Sequence, residues 1–106
     1  GDVLSGVGGA PGVARGRARI LHDPYEAEQL EEGDILVAPQ TDPAWTPLFV
    51  FAGGVVVNVG ATITHSSIVC RELGIPCAVS VQDATARIPD GAMIEVDGNT
   101  GSVTIL

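Results

Sequence analysis

The sequence predicts an α/β domain, and three observations carry that prediction. Three short runs, Ile35-Leu36-Val37, Val55-Val56-Val57 and Cys77-Ala78-Val79, are continuously apolar rather than alternating. That is the pattern of strands covered on both faces, as in a parallel sheet. Helix signals lie between them: Thr46-Pro47 before Leu48 and Phe49, and Thr64 to Leu73 ended by Gly74 with Pro76 just beyond. Both ends of the chain carry strand-like segments set off by Gly-rich turns. Strand–helix–strand–helix–strand between terminal hairpin strands is a single α/β domain over residues 1–106.

Taken in order, Val3 to Val7 reads as a short strand and Gly8-Gly9-Ala10-Pro11-Gly12 as a turn. Val13 to Leu21 alternates, with Val13, Arg15, Arg17 and Arg19 on one side, which fits a half-exposed strand. Asp23 caps a short helix with Pro24 in its first position. Ala27 and Leu30 share one face of that helix, Glu26, Glu28, Glu31 and Glu32 form a solvated face, and Gly33 ends it. Asp34 to Ala38 is a buried strand, followed by a loop over Gln40-Thr41-Asp42-Pro43. Thr46 reads as the cap of a turn running through Phe51, closed by Gly53-Gly54. After Val55 to Val57 comes a loop, Gly60-Ala61-Thr62-Ile63, and then the helix from Thr64. Cys77 to Ser80 is a strand and Asp83 to Arg87 a single turn. Met93 to Val96 and Ser102 to Ile105 close the chain as a hairpin around Gly98-Asn99-Thr100-Gly101.

Composition limits the chemistry. Hydrophobic residues make up 45% and charged residues 17%, which excludes a disordered chain. Thirteen acids face five basic residues, for a net charge of −8, and all five are Arg. A Lys-free acidic domain does not neutralise a row of phosphates, so nucleic acid is not an expected partner. It also has no Lys for a Schiff base or a P-loop. Cys70 and Cys77 sit in apolar surroundings and read as buried thiols of a reducing compartment. A His65/Cys70/Cys77 metal site would lack a fourth ligand. The longest apolar stretch, Trp45 to Val59, is broken by Pro47, Gly53 and Gly54, so no membrane span is expected. No signal-peptide pattern opens the chain, and a cytoplasmic, soluble setting is the expectation.

Two segments invite a phosphate reading. Gly6-Val7-Gly8-Gly9-Ala10-Pro11-Gly12 lacks the Gly-Lys-Ser/Thr of a P-loop, and Pro11 removes a donor, so it reads as a structural turn. Gly60 to Pro76 differs, because a buried strand runs through a Gly-containing loop into a helix opened by Thr64-His65-Ser66-Ser67. The first N–H groups of a helix lack internal partners and carry partial positive charge, which favours an anion. The same field disfavours imidazolium and leaves His65 a free lone pair, as a histidine nucleophile toward phosphorus requires. Thr62, Thr64 and Ser66 add hydroxyls, and Ile68, Val69 and Leu73 form an apolar helix body to anchor the turn. Set against this is the plainer reading of His65 as a polar residue at a helix start. No Asp or Glu lies near it in sequence, so a Ser–His–Asp hydrolase based on Ser66 or Ser67 has no local support.

Gly60 to Pro76 resembles the phosphohistidine signature of the phosphoenolpyruvate-utilising enzyme family, where Gly-Gly-x-Thr-x-His-(Ser/Ala)-(Ser/Ala) leads to Ala-Arg-Glu-Leu-Gly-Ile-Pro. Gly9 to Gly16, Gly33 to Val37 and Asp90 through Gly101 resemble other parts of that family. The resemblance implies a swivelling β/β/α phosphohistidine domain with a partly open, barrel-like sheet flanked by short helices. It further implies that His65 takes a phosphoryl group from ATP on an ATP-grasp domain and passes it to a small-molecule acceptor, such as an antibiotic hydroxyl or pyruvate. Thr64, Ser66, Thr62 and Gly60 would support the phosphoryl group, and Arg71 would serve docking or structure. The domain itself would bind no cofactor or metal, with ATP and Mg held by a partner domain of the same larger chain. Ala61, Ile63 and Cys70 depart from the common pattern. The Thr beside the His, as Ile63-Thr64-His65, together with Thr41-Asp42-Pro43-Ala44-Trp45-Thr46-Pro47-Leu48-Phe49, looks more like rifampin phosphotransferases and synthase-like members. A non-catalytic regulatory or structural domain of the same fold is the alternative.

Overall fold

The computed structural model describes residues 2–59 and 65–106, the side chains of Ala27 and Glu28 apart. Its strands are β1 (Val3–Ser5), β2 (Val7–Ala10), β3 (Val13–Ile20), β4 (Ile35–Ala38), β5 (Gly54–Val57), β6 (Cys77–Val79), β7 (Met93–Asp97) and β8 (Ser102–Ile105). Its α-helices are α1 (Thr46–Phe49), α2 (His65–Leu73) and α3 (Ala84–Arg87), with 3-10 turns at Pro24–Gln29 and Pro43–Trp45. The strands form one sheet in the order β1-β8-β7-β3-β4-β5-β6-β2. β3 joins its two halves: Val13 to Arg17 pair antiparallel with β7, and Ala18 to Ile20 pair parallel with β4. β4, β5 and β6 continue in parallel, as their unbroken apolar runs predict.

The two edges of this order, β1 and β2, are separated in the chain only by Gly6. The sheet therefore curls until its edges nearly meet, giving the expected partly open barrel. This corrects the single strand read over Val3 to Val7. The chain crosses from β8 to β6 at Gly6, whose N–H donates to Gly101 O at 2.9 Å. A Cβ on Gly6 would lie 2.6 Å from Val81 Cγ2, so only glycine makes the crossing.

The Gly8–Gly12 turn needs correction too. Gly8 and Ala10 pair with β6, with an irregularity between them, and the turn is confined to Pro11 and Gly12. The acidic segment after Asp23 is a 3-10 turn rather than an α-helix, with no basic residue in its last turn to complement the dipole. Of its acids, Glu31 pairs with Arg17 at 2.8 Å while its side chain stays 72% exposed, in keeping with a solvated face.

Successive residues of the parallel strands feed two cores. Leu36, Ala38, Val55, Val57, Cys77 and Val79 join Trp45, Leu48, Phe49 and Cys70 on the helix side. Ile35, Val37, Val56 and Ala78 join Leu4, Ile94, Val96 and Val103 inside the curl. α2 seats on the sheet differently from its sequence reading. Ser66, Ser67 and Cys70 are its buried face, while Ile68 and Leu73 stay 46% and 45% exposed. The reason is close approach: a Cβ on Gly9 would stand 2.7 Å from Ser67 Oγ. Small residues on both sides let the helix lie against β2, where a branched apolar side chain has no room.

Candidate functional site

The carboxyl ends of the parallel strands β4, β5 and β6 lie at one edge of the sheet. Ligand sites in α/β sheets collect at this edge. His65 stands there as the first residue of α2, and the loop after β4 supplies its neighbours. Thr41 Oγ1 lies 2.9 Å from His65 Nδ1, and Thr46 Oγ1 lies 3.0 Å from Nε2. Both ring nitrogens are thus held by threonine hydroxyls. A neutral imidazole suits this clamp, because one hydroxyl accepts from the ring N–H and the other donates to the lone pair. Phe49, fully buried, packs beside the ring with centroids 5.6 Å apart and planes tilted by 56°.

The loop is built to present those hydroxyls. Asp42 caps the 3-10 turn by accepting the Ala44 N–H at 2.9 Å, and its carbonyl accepts from Trp45 N–H at 2.9 Å. Trp45 is buried and pins the loop to the helix-side core. Thr46, read from sequence as a cap, instead lies within α1 and spends its side chain on His65. Burial holds the His65 imidazole below its usual value, partly offset by the negative charge of Asp42. The direction matches the sequence expectation, but the principal cause is desolvation rather than the helix field.

Among the other predicted site residues, Gly60, Thr62 and Thr64 lie outside the described residues. Ser66 is buried, only 3% exposed. Arg71 is exposed on α2 and borders an open cleft with Gly8, Gly9, Pro11, Gly98 and Asn99. Thr41 and Thr46 are the contacts that sequence reasoning missed as site residues. Asp42 acts on the ring from 23 positions upstream by charge, yet no carboxylate hydrogen-bonds to His65 among the described residues. A Ser–His–Asp arrangement therefore gains no support. Cys70 and Cys77 are free and buried, and their mutual hydrogen bond together with burial pushes the Cys70 thiol up, which keeps it unreactive. No cluster of three or more metal-ligating side chains occurs among the described residues. No helix among them is long and apolar enough to cross a membrane.

A curled α/β sheet with short helices, presenting a histidine at the head of one of them, is the architecture of a small swivelling-type α/β domain. Residues 30–101 match the family described as PEP-utilising enzyme, mobile domain, and the chain belongs to that family. The chain is 48% identical over 103 residues to a rifampicin phosphotransferase of Streptomyces sviceus, covering 97% of this chain and 12% of that protein. It is 46% identical over 103 residues to the chondramide synthase cmdD of Chondromyces crocatus, covering 97% of this chain and 3% of that protein. Among solved structures, Enzyme I shows a TM-score of 0.65 at 28% identity, over 74% of this chain and 33% of that one. The chain thus spans a small fraction of the length of the curated relatives it matches.

Proposed function

We propose that this chain is the phosphoryl carrier of an ATP-dependent phosphotransferase, with His65 as the residue that is loaded and unloaded. The observation that carries the reading is the setting of that ring: held at both nitrogens by threonine hydroxyls and placed at the head of a nine-residue helix on the carboxyl edge of the parallel strands, where burial favours its neutral form. A neutral ring keeps one nitrogen lone pair for attack on phosphorus, and a clamped ring loses little orientational freedom in the transition state. ATP and Mg would sit on an ATP-grasp domain of the same longer chain, and cations there would offset charge on the transferred group. A second domain would hold the acceptor, and this domain would swing between them. The rifampicin phosphotransferase among its relatives supports an antibiotic hydroxyl as acceptor. Pyruvate fits the carrier chemistry equally. Gly60, Thr62 and Thr64, in the segment leading into α2, would support the phosphoryl oxygens, and exposed Arg71 would serve docking.

The test is phosphoryl labelling. The full-length protein, or this chain with its cognate nucleotide domain, is incubated with ATP labelled at the β- or γ-phosphate. Acid-labile, base-stable label is expected on the wild type and not on His65→Gln. Label that survives in His65→Gln overturns the assignment. Absence of label on the wild type, with an active nucleotide domain, points to the non-catalytic alternative.

A further inference from the structure

We propose that Thr46 is a positioning residue whose hydroxyl switches from the Nε2 lone pair of His65 to the phosphoryl group carried there, while Thr41 holds the ring proton on Nδ1. The inference rests on the reading of His65 as phosphoryl carrier and names how that site is opened and closed.

In the resting ring no lone pair is free, because a hydroxyl stands 2.9 Å from Nδ1 and another 3.0 Å from Nε2. One of the two must donate to the lone pair, and that bond has to open before the nitrogen attacks. The surroundings decide which. Thr41 leads directly into Asp42, whose side chain and carbonyl are both engaged, accepting from Ala44 N–H and Trp45 N–H at 2.9 Å each. Its position is set by a capped turn. Thr46 stands on a helix of four residues whose N-cap makes no side-chain hydrogen bond. Rotation of the Thr46 side chain about one torsion releases Nε2 without disturbing the turn. Nε2 is also the ring atom farther from the α2 backbone, so a group attached there projects away from the helix.

The loading step then balances. The Nε2 lone pair forms the N–P bond as the P–O anhydride bond of the polyphosphate donor breaks, and the electron pair leaves on the departing phosphate oxygen. Nδ1 keeps its proton, so the phosphorylated ring is cationic. The Thr41 oxygen accepts from Nδ1–H, and the negative charge of Asp42, which already favours positive charge on the ring, offsets it. The Thr46 hydroxyl, released from the lone pair, donates to a phosphoryl oxygen. On transfer, an acceptor hydroxyl attacks phosphorus, the N–P pair returns to Nε2, the acceptor proton passes to solvent, and Thr46 closes on the lone pair again.

Two measurements test this. Long-range proton–nitrogen NMR of the chain with ¹⁵N-labelled histidine reads the His65 tautomer without any phosphoryl donor. The Nδ1–H form is expected in the wild type and in Thr46→Val, with that preference lost in Thr41→Val. Labelling with the cognate nucleotide domain should then place phosphorus on Nε2. Thr46→Val should load about 100-fold more slowly, the scale for losing one positioned donor, with the rate restored by Thr46→Ser. Should Thr46→Val fold poorly, Thr46→Ala makes the same comparison. A resting ring protonated on Nε2, phosphorus on Nδ1, or wild-type loading in Thr46→Val overturns the proposal. A wild-type chain with the Nδ1–H tautomer that takes no label overturns the carrier reading and the switch with it, while the hydroxyl assignment stands.

Discussion

Truncating Phe49 probes stability and site chemistry together. The side chain is fully buried in the helix-side core, and its ring lies 5.6 Å from that of His65. Phe49→Ala leaves a cavity under α1 and removes one wall of the imidazole pocket. Large-to-small changes of this kind cost about 3–5 kcal/mol, from a total near 5–15 kcal/mol for a domain of this size. At roughly 4–8 °C per kcal/mol, the midpoint of thermal unfolding should fall by about 12–40 °C. Phe49→Leu keeps most of the volume and should cost about 1–1.5 kcal/mol, leaving a folded chain for the second readout. Burial is the main reason the His65 value is depressed, so water admitted beside the ring should raise it toward its ordinary 6.5. Urea denaturation measures the first effect, and an NMR titration of the His65 ring protons measures the second. If Phe49→Leu loses stability as expected but His65 titrates unchanged, Phe49 does not supply the desolvation. If Phe49→Ala loses no stability, the packing argument itself fails.

Because the folded state resists protonation of His65, its stability should decline as pH falls below the ordinary 6.5 toward the depressed value; urea midpoints of wild type should show this slope and those of His65→Gln should not. A Cβ on Gly98 would overlap the Ala10 carbonyl and stand 2.9 Å from Cys77 N, both backbone, and displacing the residue also strains the Gly98 N–H bond to Gly12 O at 2.7 Å. Gly98→Ala should therefore cost about 2–4 kcal/mol. Gly33→Ala, at φ +88° with open space around it, should cost only the left-handed penalty of about 1–2 kcal/mol, and equal losses in calorimetry would refute the contact argument. Asp34, only 5% exposed, accepts from Glu31 N–H at 3.0 Å and faces Arg17 and Arg19, so Asp34→Ala should cost about 2–3 kcal/mol in denaturant titrations. The Arg15–Glu95 pair is solvated, and Arg15→Ala should stay within about 0.5 kcal/mol.

The parallel strands were legible because each is a run of apolar residues between Gly or Pro punctuation, and the run itself states burial on both faces. The hairpin at Gly98 to Gly101 was legible from its turn residues. The strand at Gly8 to Ala10 was not, because glycines that read as a turn in sequence answer to close neighbours far along the chain, Gly9 to Ser67 on α2 and Gly8 to the backbone of Gly98 and Asn99. The buried face of α2 was misread for the same cause. Ile68 and Leu73 are the more apolar side chains, yet close packing selected Ser66, Ser67 and Cys70. At the site, His65 was legible from its strand–loop–helix setting, and the direction of its shift from the helix start. The two hydroxyls that hold it were not, because Thr41 and Thr46 precede it by 24 and 19 positions. The one signal was the Thr-Asp-Pro loop with Thr46-Pro47 behind it, which reads locally as a turn and a cap.

The placement of the arginines completes the electrostatic argument. Arg15, Arg17 and Arg19 all lie on β3, where Glu95, Glu31, Asp34 and Asp90 neutralise them. Asp34 precedes β4, whereas Thr41 and Thr46 follow it, so the Asp34 network lies at the amino end of the parallel strands and His65 at the carboxyl end. Among the described residues near His65, the charge acting on the ring is that of Asp42, which is negative. In the proposed carrier reading such a ring is poorly suited to hold a polyphosphate by itself, since among the described residues no cationic side chain is seen to act on it. Asp42 would offset only the positive charge left on the phosphorylated ring, and the phosphoryl dianion attached to it needs positive charge from elsewhere. Within the proposed carrier reading, loading then depends on cations brought by the nucleotide domain, while Asp42 balances the ring charge alone. Asp42→Asn should separate the two steps, leaving the docked encounter with the nucleotide domain unchanged while lowering the fraction of His65 phosphorylated at equilibrium. A substitution that slows docking and leaves that fraction unchanged would refute the division.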